Sequence, residues 1–309
     1  MTALVEVGCH LPESSVGITE IGAEVAAEDS LMWTFRRFYG LRSVRRAPDD
    51  DLRTTLRSAV NSLTALRGNE HRVRYVVYAR TVSTVEPAGE NTVEDLCAEL
   101  GLANAIGFTL TQHGCATGVF AMDLAGRLLA ADGDATALAL VVTGEKVFSR
   151  TLQIIPESTV MGEGTAACLV SADGQRDRLL GFATVTRGQY SGEFPPYPLD
   201  PMFLKEHNDT LAAVMRDAAE DAGVDFDDLA LILPHNVNRL SWQWTCKALG
   251  ISMDRVYLDN IPVTGHCFTA DPFINYVHAR EAGRLRPGDL YLMAAVGLGA
   301  TFSAAVLRH

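Results

Sequence analysis

What most constrains this chain is an order of elements that occurs twice. In the first half Leu4 to Val7 reads as a short strand, and Leu52 to Leu66 carries apolar residues at helical spacing. Val73 to Ala79 reads as a β-branched and aromatic strand, Val93 to Leu100 as a short helix stopped at Gly101, and Ile106 to Leu110 as another strand. That strand runs into Thr111-Gln112-His113-Gly114-Cys115-Ala116-Thr117-Gly118, followed by a helix over about Val119 to Ala131. The next strand, Leu138 to Val142, is so uniformly apolar that both its faces must be buried, as in parallel sheets. The second half follows the same order. It reads as a helix (Thr210 to Ala222), a buried strand (Leu229 to Leu233), the turn Pro234-His235-Asn236-Val237-Asn238, and a helix to Leu249 with Gly250 as its C-cap. Then come a strand (Val256 to Leu258), a turn (Gly265 to Thr269), and a helix capped by Asp271 with Pro272 at its first position. Leu290 to Ala295 and Thr301 to Val306 close the chain as strands around Gly297-Leu298-Gly299, the counterpart of Gly162-Glu163-Gly164. The expectation is an α/β protein of two fused halves, 1–172 and 173–309, joined near Asp173-Gly174. A pseudo-dyad would bring the starts of the Cys115 and Asp271 helices together at the centre.

The 309 residues are 48% hydrophobic and 21% charged, enough apolar material for such a core and too much for a disordered chain. No apolar run reaches membrane-spanning length, and the N-terminus lacks a basic stretch followed by an apolar one, so neither a membrane span nor a secretion signal is expected. A net charge of −12 disfavours nucleic acid as a partner. Six scattered cysteines without a CxxC pair indicate neither a metal site nor disulfides, and fit free thiols in a reducing cytoplasm.

Three residues lie at loop–helix junctions after buried strands, where α/β folds place ligands: Cys115, His235 and His266. A cysteine at a helix N-terminus feels the positive end of the dipole, which favours the thiolate a nucleophile needs. A histidine beside it can take and return a proton, or donate to a developing enolate. The turn at Gly297-Leu298-Gly299 could add a backbone N–H to that of Cys115, forming an oxyanion hole. Taken singly, a buried Cys is packing and a loop His a hydrogen-bonding group. At matching points of a repeated unit the three are more convincing as one functional site.

Gly114-Cys115-Ala116-Thr117-Gly118, Pro234-His235-Asn236-Val237-Asn238 and Gly265-His266 resemble the three active-site motifs of β-ketoacyl-ACP synthase III (KAS III), within the thiolase-like condensing enzymes. The closing stretch from Gly283-Arg284-Leu285-Arg286-Pro287-Gly288-Asp289 to Gly299 resembles that family's ending, and the likeness runs from Val7 to Leu307. It implies a five-layered αβαβα thiolase fold, a homodimer, acylation of Cys115, catalysis by His235, and backbone oxyanion donors at Cys115 and Leu298. The acyl group would come from CoA or an acyl carrier protein, and would be joined to a malonyl thioester with loss of CO₂. No tightly bound cofactor or metal is implied.

Two departures shape what is expected. Where the family usually carries Asn, this chain has His266, giving a Cys-His-His set as in elongating ketosynthases. Two imidazoles can both donate to an enolate, but relatives with an altered third residue resemble acyltransferases acting on alcohols or amines. A non-catalytic docking or chain-length partner is a further possibility, one that the retained Cys115 argues against. Trp33, Arg36 and Arg37 occupy the region where the family grips the CoA nucleotide, with Phe38 in place of an expected arginine, and the Thr151 to Met161 loop is short. A specialised biosynthetic pathway is therefore expected. Asn238 is a further substrate-binding candidate, Phe268 and Val296 would line the acyl tunnel, and Arg239 and Lys247 could meet a carrier protein.

Overall fold

The computed structural model describes residues 2–82, 91–190 and 198–309. Nine strands form its main sheet: β1 (Ala3–His10), β2 (Val73–Ala79), β3 (Ile106–Leu110), β4 (Leu138–Glu145), β5 (Gly164–Ser171), β6 (Arg178–Thr186), β7 (Leu229–Pro234), β8 (Leu290–Gly297) and β9 (Thr301–Arg308). Their order is β7-β8-β9-β6-β1-β5-β4-β2-β3, and β1 and β6 meet at the single register pair Ala3↔Arg178. Outward from that join the two sides match. On one side β1 and β5, then β5 and β4, are antiparallel, whereas β4, β2 and β3 run parallel. On the other β6 and β9, then β9 and β8, are antiparallel, β8 and β7 are parallel, and Val256 adds a parallel bridge to Ile232.

Strand residues alternate between faces, and the alternation defines the layers. Val77, Ala139, Leu231 and Met293 point into one shared cluster, together with Val119 and Met122 of α3 (Thr117–Asp132) and Phe273 and Ile274 of the helix Asp271–Glu281. Val76 and Leu140 face the other way, onto Leu56 of α1 (Leu52–Asn61) and Val93 of α2 (Thr92–Glu99). Ile232 and Leu292 likewise pack on Leu211 of α4 (Pro201–Asp221) and Trp242 of α5 (Arg239–Leu249). Helix Asp271–Glu281 is α6. The layers are therefore helix, sheet, helix, sheet, helix: the thiolase fold, with α3 and α6 between the two sheet halves.

Helix α3 is buried on most of its circumference, as its all-round apolarity requires, and Asp123 pairs with Arg127 at 2.7 Å. The stretch Gly114–Asp132 has the length and mean hydropathy, 1.2, of a membrane span, contrary to expectation, but 67% of it is buried inside the fold. It is a core helix. Gly118 permits its close approach to the next layer, since a Cβ there would lie 2.5 Å from the Thr269 carbonyl. Two further expectations shift. Helix α4 begins at Pro201 rather than Thr210, its N-terminus capped by Asp200, whose carboxylate accepts from Met202 N at 2.7 Å. Its first turns are polar on the outside, which hides them from a search for apolar periodicity. The first long helix ends at Asn61, and a 3₁₀ turn, Thr64–Leu66, completes the predicted span.

Candidate active site

The nucleophile candidate sits in a tightly folded turn. Gly114–Ala116 form a 3₁₀ turn that feeds α3, and Gly114 has φ +52°. A Cβ on Gly297 would overlap the His113 carbonyl, and one on Gly114 would lie 2.8 Å from Gly297 Cα and 3.0 Å from Leu298 N. Glycine at both positions lets the Leu298 amide come alongside the Cys115 turn, the pairing an oxyanion hole needs.

Gly265, at φ +70°, turns the chain so that the His266 backbone locks onto the neighbouring segment. His266 N donates to Val160 O at 3.0 Å and Gly162 N donates to His266 O at 2.9 Å. The ring bridges two groups. Its Nε2 lies 3.1 Å from Cys115 Sγ and its Nδ1 lies 2.5 Å from Asp271 Oδ2. The other carboxylate bonds come from Cys267 N (2.8 Å), Asn236 N (2.6 Å) and Asn236 Nδ2 (3.2 Å). Asp271 is fully buried and acts only as an acceptor in this network. It therefore holds the proton of His266 on Nδ1 and aims Nε2 at the sulfur, the arrangement of a nucleophile, a base and an orienting carboxylate. Burial opposes charge on His266, but the Cys115 sulfur and the Asp271 carboxylate outweigh it and push its pKa up to about 10.

His235 lines the same cavity, 6.1 Å from His266 between ring centroids. Its N–H donates to Ala294 O at 2.9 Å and its carbonyl accepts from Trp242 Nε1 at 2.9 Å, which fixes the residue through its backbone. Its Nδ1 is buried with no hydrogen-bond partner. Burial, reinforced by the charge on His266, holds its pKa well below the usual histidine value, so the ring stays neutral. The Thr81 hydroxyl lies 3.5 Å from Cys115 Sγ, and the buried Glu145 anchors that segment by accepting from Thr81 N at 2.6 Å. Burial pushes up the thiols of Cys9, Cys97, Cys168, Cys246 and Cys267, and Cys115 is the cysteine set against an imidazole.

Cys115, His235, His266, Asn238, Val296 and Leu298 share a narrow cavity of about 50 Å³. Glu157, Leu204, His207, Asn238 and Ser241 belong both to it and to an outer vestibule of about 590 Å³, reached between α4 and α5 past Tyr39, Trp244 and Lys247. Asn238 is on the wall, but its side chain is engaged: Oδ1 caps α5 by accepting from Ser241 N (2.7 Å), and Nδ2 donates to Ser158 O (2.8 Å). Phe268 stacks near His266 at 6.5 Å and is not among the residues lining the cavity. Trp33, Arg36 and Arg37 are on neither wall. A π-helical turn, Phe35–Tyr39, directs Phe35 into the core and Tyr39 to the vestibule, and leaves Trp33 58% exposed, edge-on to Phe38. His113 stacks on Phe120 at 4.2 Å.

The expected cap role of Asp271 is corrected: Ala270 occupies the cap position, and the Asp271 side chain turns to His266 and the loop amides. An Asp-Pro pair opening a helix reads as a cap, which masked it. The Cys115 hydrogen bond is with His266, so the bonded set is Cys115, His266 and Asp271, with His235 on the same cavity wall. His207, held by Leu204 O and Ser241 Oγ at 3.0 and 3.3 Å, and Glu157 were not foreseen on the route to the cavity, because the elements that carry them have no chemical motif.

Residues 219–309 match the family model for the C-terminal part of 3-oxoacyl-[acyl-carrier-protein] synthase III. The chain is 30% identical over 262 residues to the β-ketoacyl-[acyl-carrier-protein] synthase III of Roseobacter denitrificans, covering 75% of this chain and 76% of that protein. Among solved structures it resembles the 3-oxoacyl-[acyl-carrier-protein] synthase III of Aquifex aeolicus, with a TM-score of 0.84, 20% identity and full coverage of both chains. It also resembles the acyltransferase ChlB3, with a TM-score of 0.85 and 20% identity over 99% of this chain and 97% of that one.

Proposed function

The chain belongs to the β-ketoacyl-[acyl-carrier-protein] synthase III family of acyl-thioester condensing enzymes, and on that premise we propose that Cys115 carries the acyl group between two substrates. The observation that supports this best is the 3.1 Å approach of His266 Nε2 to the Cys115 sulfur, with Asp271 behind the ring. His266 takes the thiol proton, the thiolate attacks the incoming thioester carbonyl, and the amides of Cys115 and Leu298 hold the oxyanion. Collapse expels the donor thiolate, which takes the proton from His266, and leaves an acyl-Cys115. A malonyl-type thioester then loses CO₂, and its enolate carbon attacks the acyl carbonyl and releases the Cys115 thiolate. The neutral His235 carries one ring N–H, the donor that an enolate oxygen needs.

A second reading, transfer of the acyl group to an alcohol or amine, is favoured by Asp271. Once the donor thiol has left, His266 is neutral with its proton held by Asp271 and its Nε2 lone pair facing the acyl-enzyme. That is a base for an incoming O–H or N–H rather than a donor to an enolate. The donor is an acyl-CoA or an acyl-phosphopantetheine carrier, which Lys205 and Lys247 on the vestibule wall, with Arg239 at the start of α5, would attract, and no tightly bound cofactor is needed. A cytoplasmic homodimer in a specialised biosynthetic pathway, built of halves 1–172 and 173–309, completes the reading.

Intact mass spectrometry after incubation with acyl-CoA and acyl-carrier donors tests it. An adduct on the wild-type protein that vanishes in Cys115→Ala is expected, and no adduct from any donor would favour a non-catalytic partner instead. CO₂ release from malonyl thioester, lost in His235→Ala, separates condensation from transfer.

A further inference from the structure

The Glu157 carboxylate is a polar group on the substrate route that the mechanism leaves unused. It belongs to the neck shared by the inner cavity and the vestibule. Its Oε2 is buried and has no hydrogen-bond partner among the described residues, while its backbone carbonyl accepts from the Tyr39 hydroxyl at 3.2 Å. It sits in the short turn between the two-residue strands Ile154–Ile155 and Thr159–Val160, a ladder that holds the turn in place. Asn238 Nδ2 donates to the next carbonyl, that of Ser158, and ties the turn to the start of α5. Glu157 is half-buried, but its Oε2 is a buried acceptor without a donor, which is costly unless something that passes through supplies one.

The charge of the neck narrows what that is. The pantetheine arm that carries any acyl group through the neck is uncharged, with its phosphates at the outer end, whereas a malonyl group brings a free carboxylate that the Glu157 carboxylate repels. An ammonium group or a hydroxyl offers the missing donor, and an ammonium adds charge complementarity. Lys205 and Lys247 lie in the outer vestibule with Asp209, so the cations stay at the entrance and the carboxylate in the neck.

We infer that Glu157 selects the acyl acceptor, favouring an uncharged or cationic compound that presents an amine or hydroxyl and opposing an anionic extender. This rests on the acyl-transfer reading and names the acceptor class for it. The assignment stands on the orphaned oxygen and on its place in the neck.

The test separates the two half-reactions. Cys115 is loaded with an acyl group, and the loss of the adduct is followed by intact mass spectrometry with ethanolamine or malonyl-CoA, in the wild type and in Glu157→Gln. Rates are expressed relative to each variant's own rate of acylation. In Glu157→Gln the ethanolamine reaction should fall about tenfold or more, the loss of one charge-assisted hydrogen bond, and the malonyl-CoA reaction should rise. Equal ratios in the two variants for both compounds, or a fall for malonyl-CoA as well, would overturn the role of Glu157. Should the wild-type adduct discharge to malonyl-CoA with CO₂ release and not to ethanolamine, the acyl-transfer reading fails. In that case a rise for malonyl-CoA in Glu157→Gln still upholds Glu157 as a charge barrier. Discharge of the wild-type adduct to neither compound overturns both.

Discussion

At the scale of single residues, the sulfur, the imidazole and the carboxylate act as one unit. Asp271→Asn keeps the shape of the side chain but offers Nδ1 of His266 an amide in place of a carboxylate, so the ring is no longer held in the right tautomer. Single-turnover acylation of Cys115 should slow by up to about 10,000-fold, the drop seen for the equivalent change in a Ser-His-Asp triad. A titration of the folded protein gives an independent readout, because the same substitution should bring the His266 pKa down from about 10. The pH dependence of stability follows with a definite sign. His266 has a folded pKa above the unfolded value of roughly 6.5, so its contribution is complete below that pH and is lost as pH rises through about 10. His235 is shifted the other way, and its contribution is present above the unfolded value and lost as acid charges the ring. Denaturant unfolding from pH 5 to 10 should therefore show an alkaline decline that His266→Gln lacks. Cys115, His235 and His266 were legible in the sequence because each stands in a short motif at a turn, although only His235 follows a buried strand: Ile106–Leu110 before Cys115 is largely exposed at the sheet edge, and a short helix, Ile261–Thr264, precedes His266. Asp271 was legible only as a helix cap, since a carboxylate at the start of a helix gives the same signal whether it bonds its own amides or a ring brought near by the fold.

At the scale of elements, the site depends on how closely two turns approach. Gly114 and Gly297 pack backbone to backbone, and that contact sets where the Leu298 amide lies. Gly297→Ala should cost catalysis more than stability. A methyl group against the His113 carbonyl displaces the turn, so the acylation rate should fall by about 100-fold, in line with the loss of an oxyanion donor, while the far-UV circular dichroism stays unchanged. An unchanged rate would mean that the Leu298 amide plays no part. The strands β2 and β3 were read to the residue, because β-branched runs between breakers carry a strong local signal. The route to the cavity was not legible. Its walls come from polar first turns of α4, from the Glu157 turn and from Tyr39, placed by packing against α5 rather than by local pattern. The same limit applies to Trp33: the π-helical turn after it changes which side of the segment faces inward.

At the scale of the whole molecule, the repeat visible in the element order corresponds to two matching runs of strands around two shared helices. The apolar strands reported this plainly, whereas the pairing of the halves depends on contacts between residues far apart in sequence, such as Ala3 with Arg178. The consequence lies in the middle layer. Neither α3 nor α6 belongs to one sheet alone, so a polypeptide cut between 172 and 173 would leave each piece with a greasy face and no cover for it. Made separately, the pieces should precipitate or remain molten; made together in one cell, they should reassemble into a nicked enzyme that still takes up an acyl label on Cys115. Recovery of label on the first piece by itself would reveal a self-sufficient lobe. A requirement for both would mean that the seam down the centre doubles as an assembly switch, with chemistry possible only after the two have found each other.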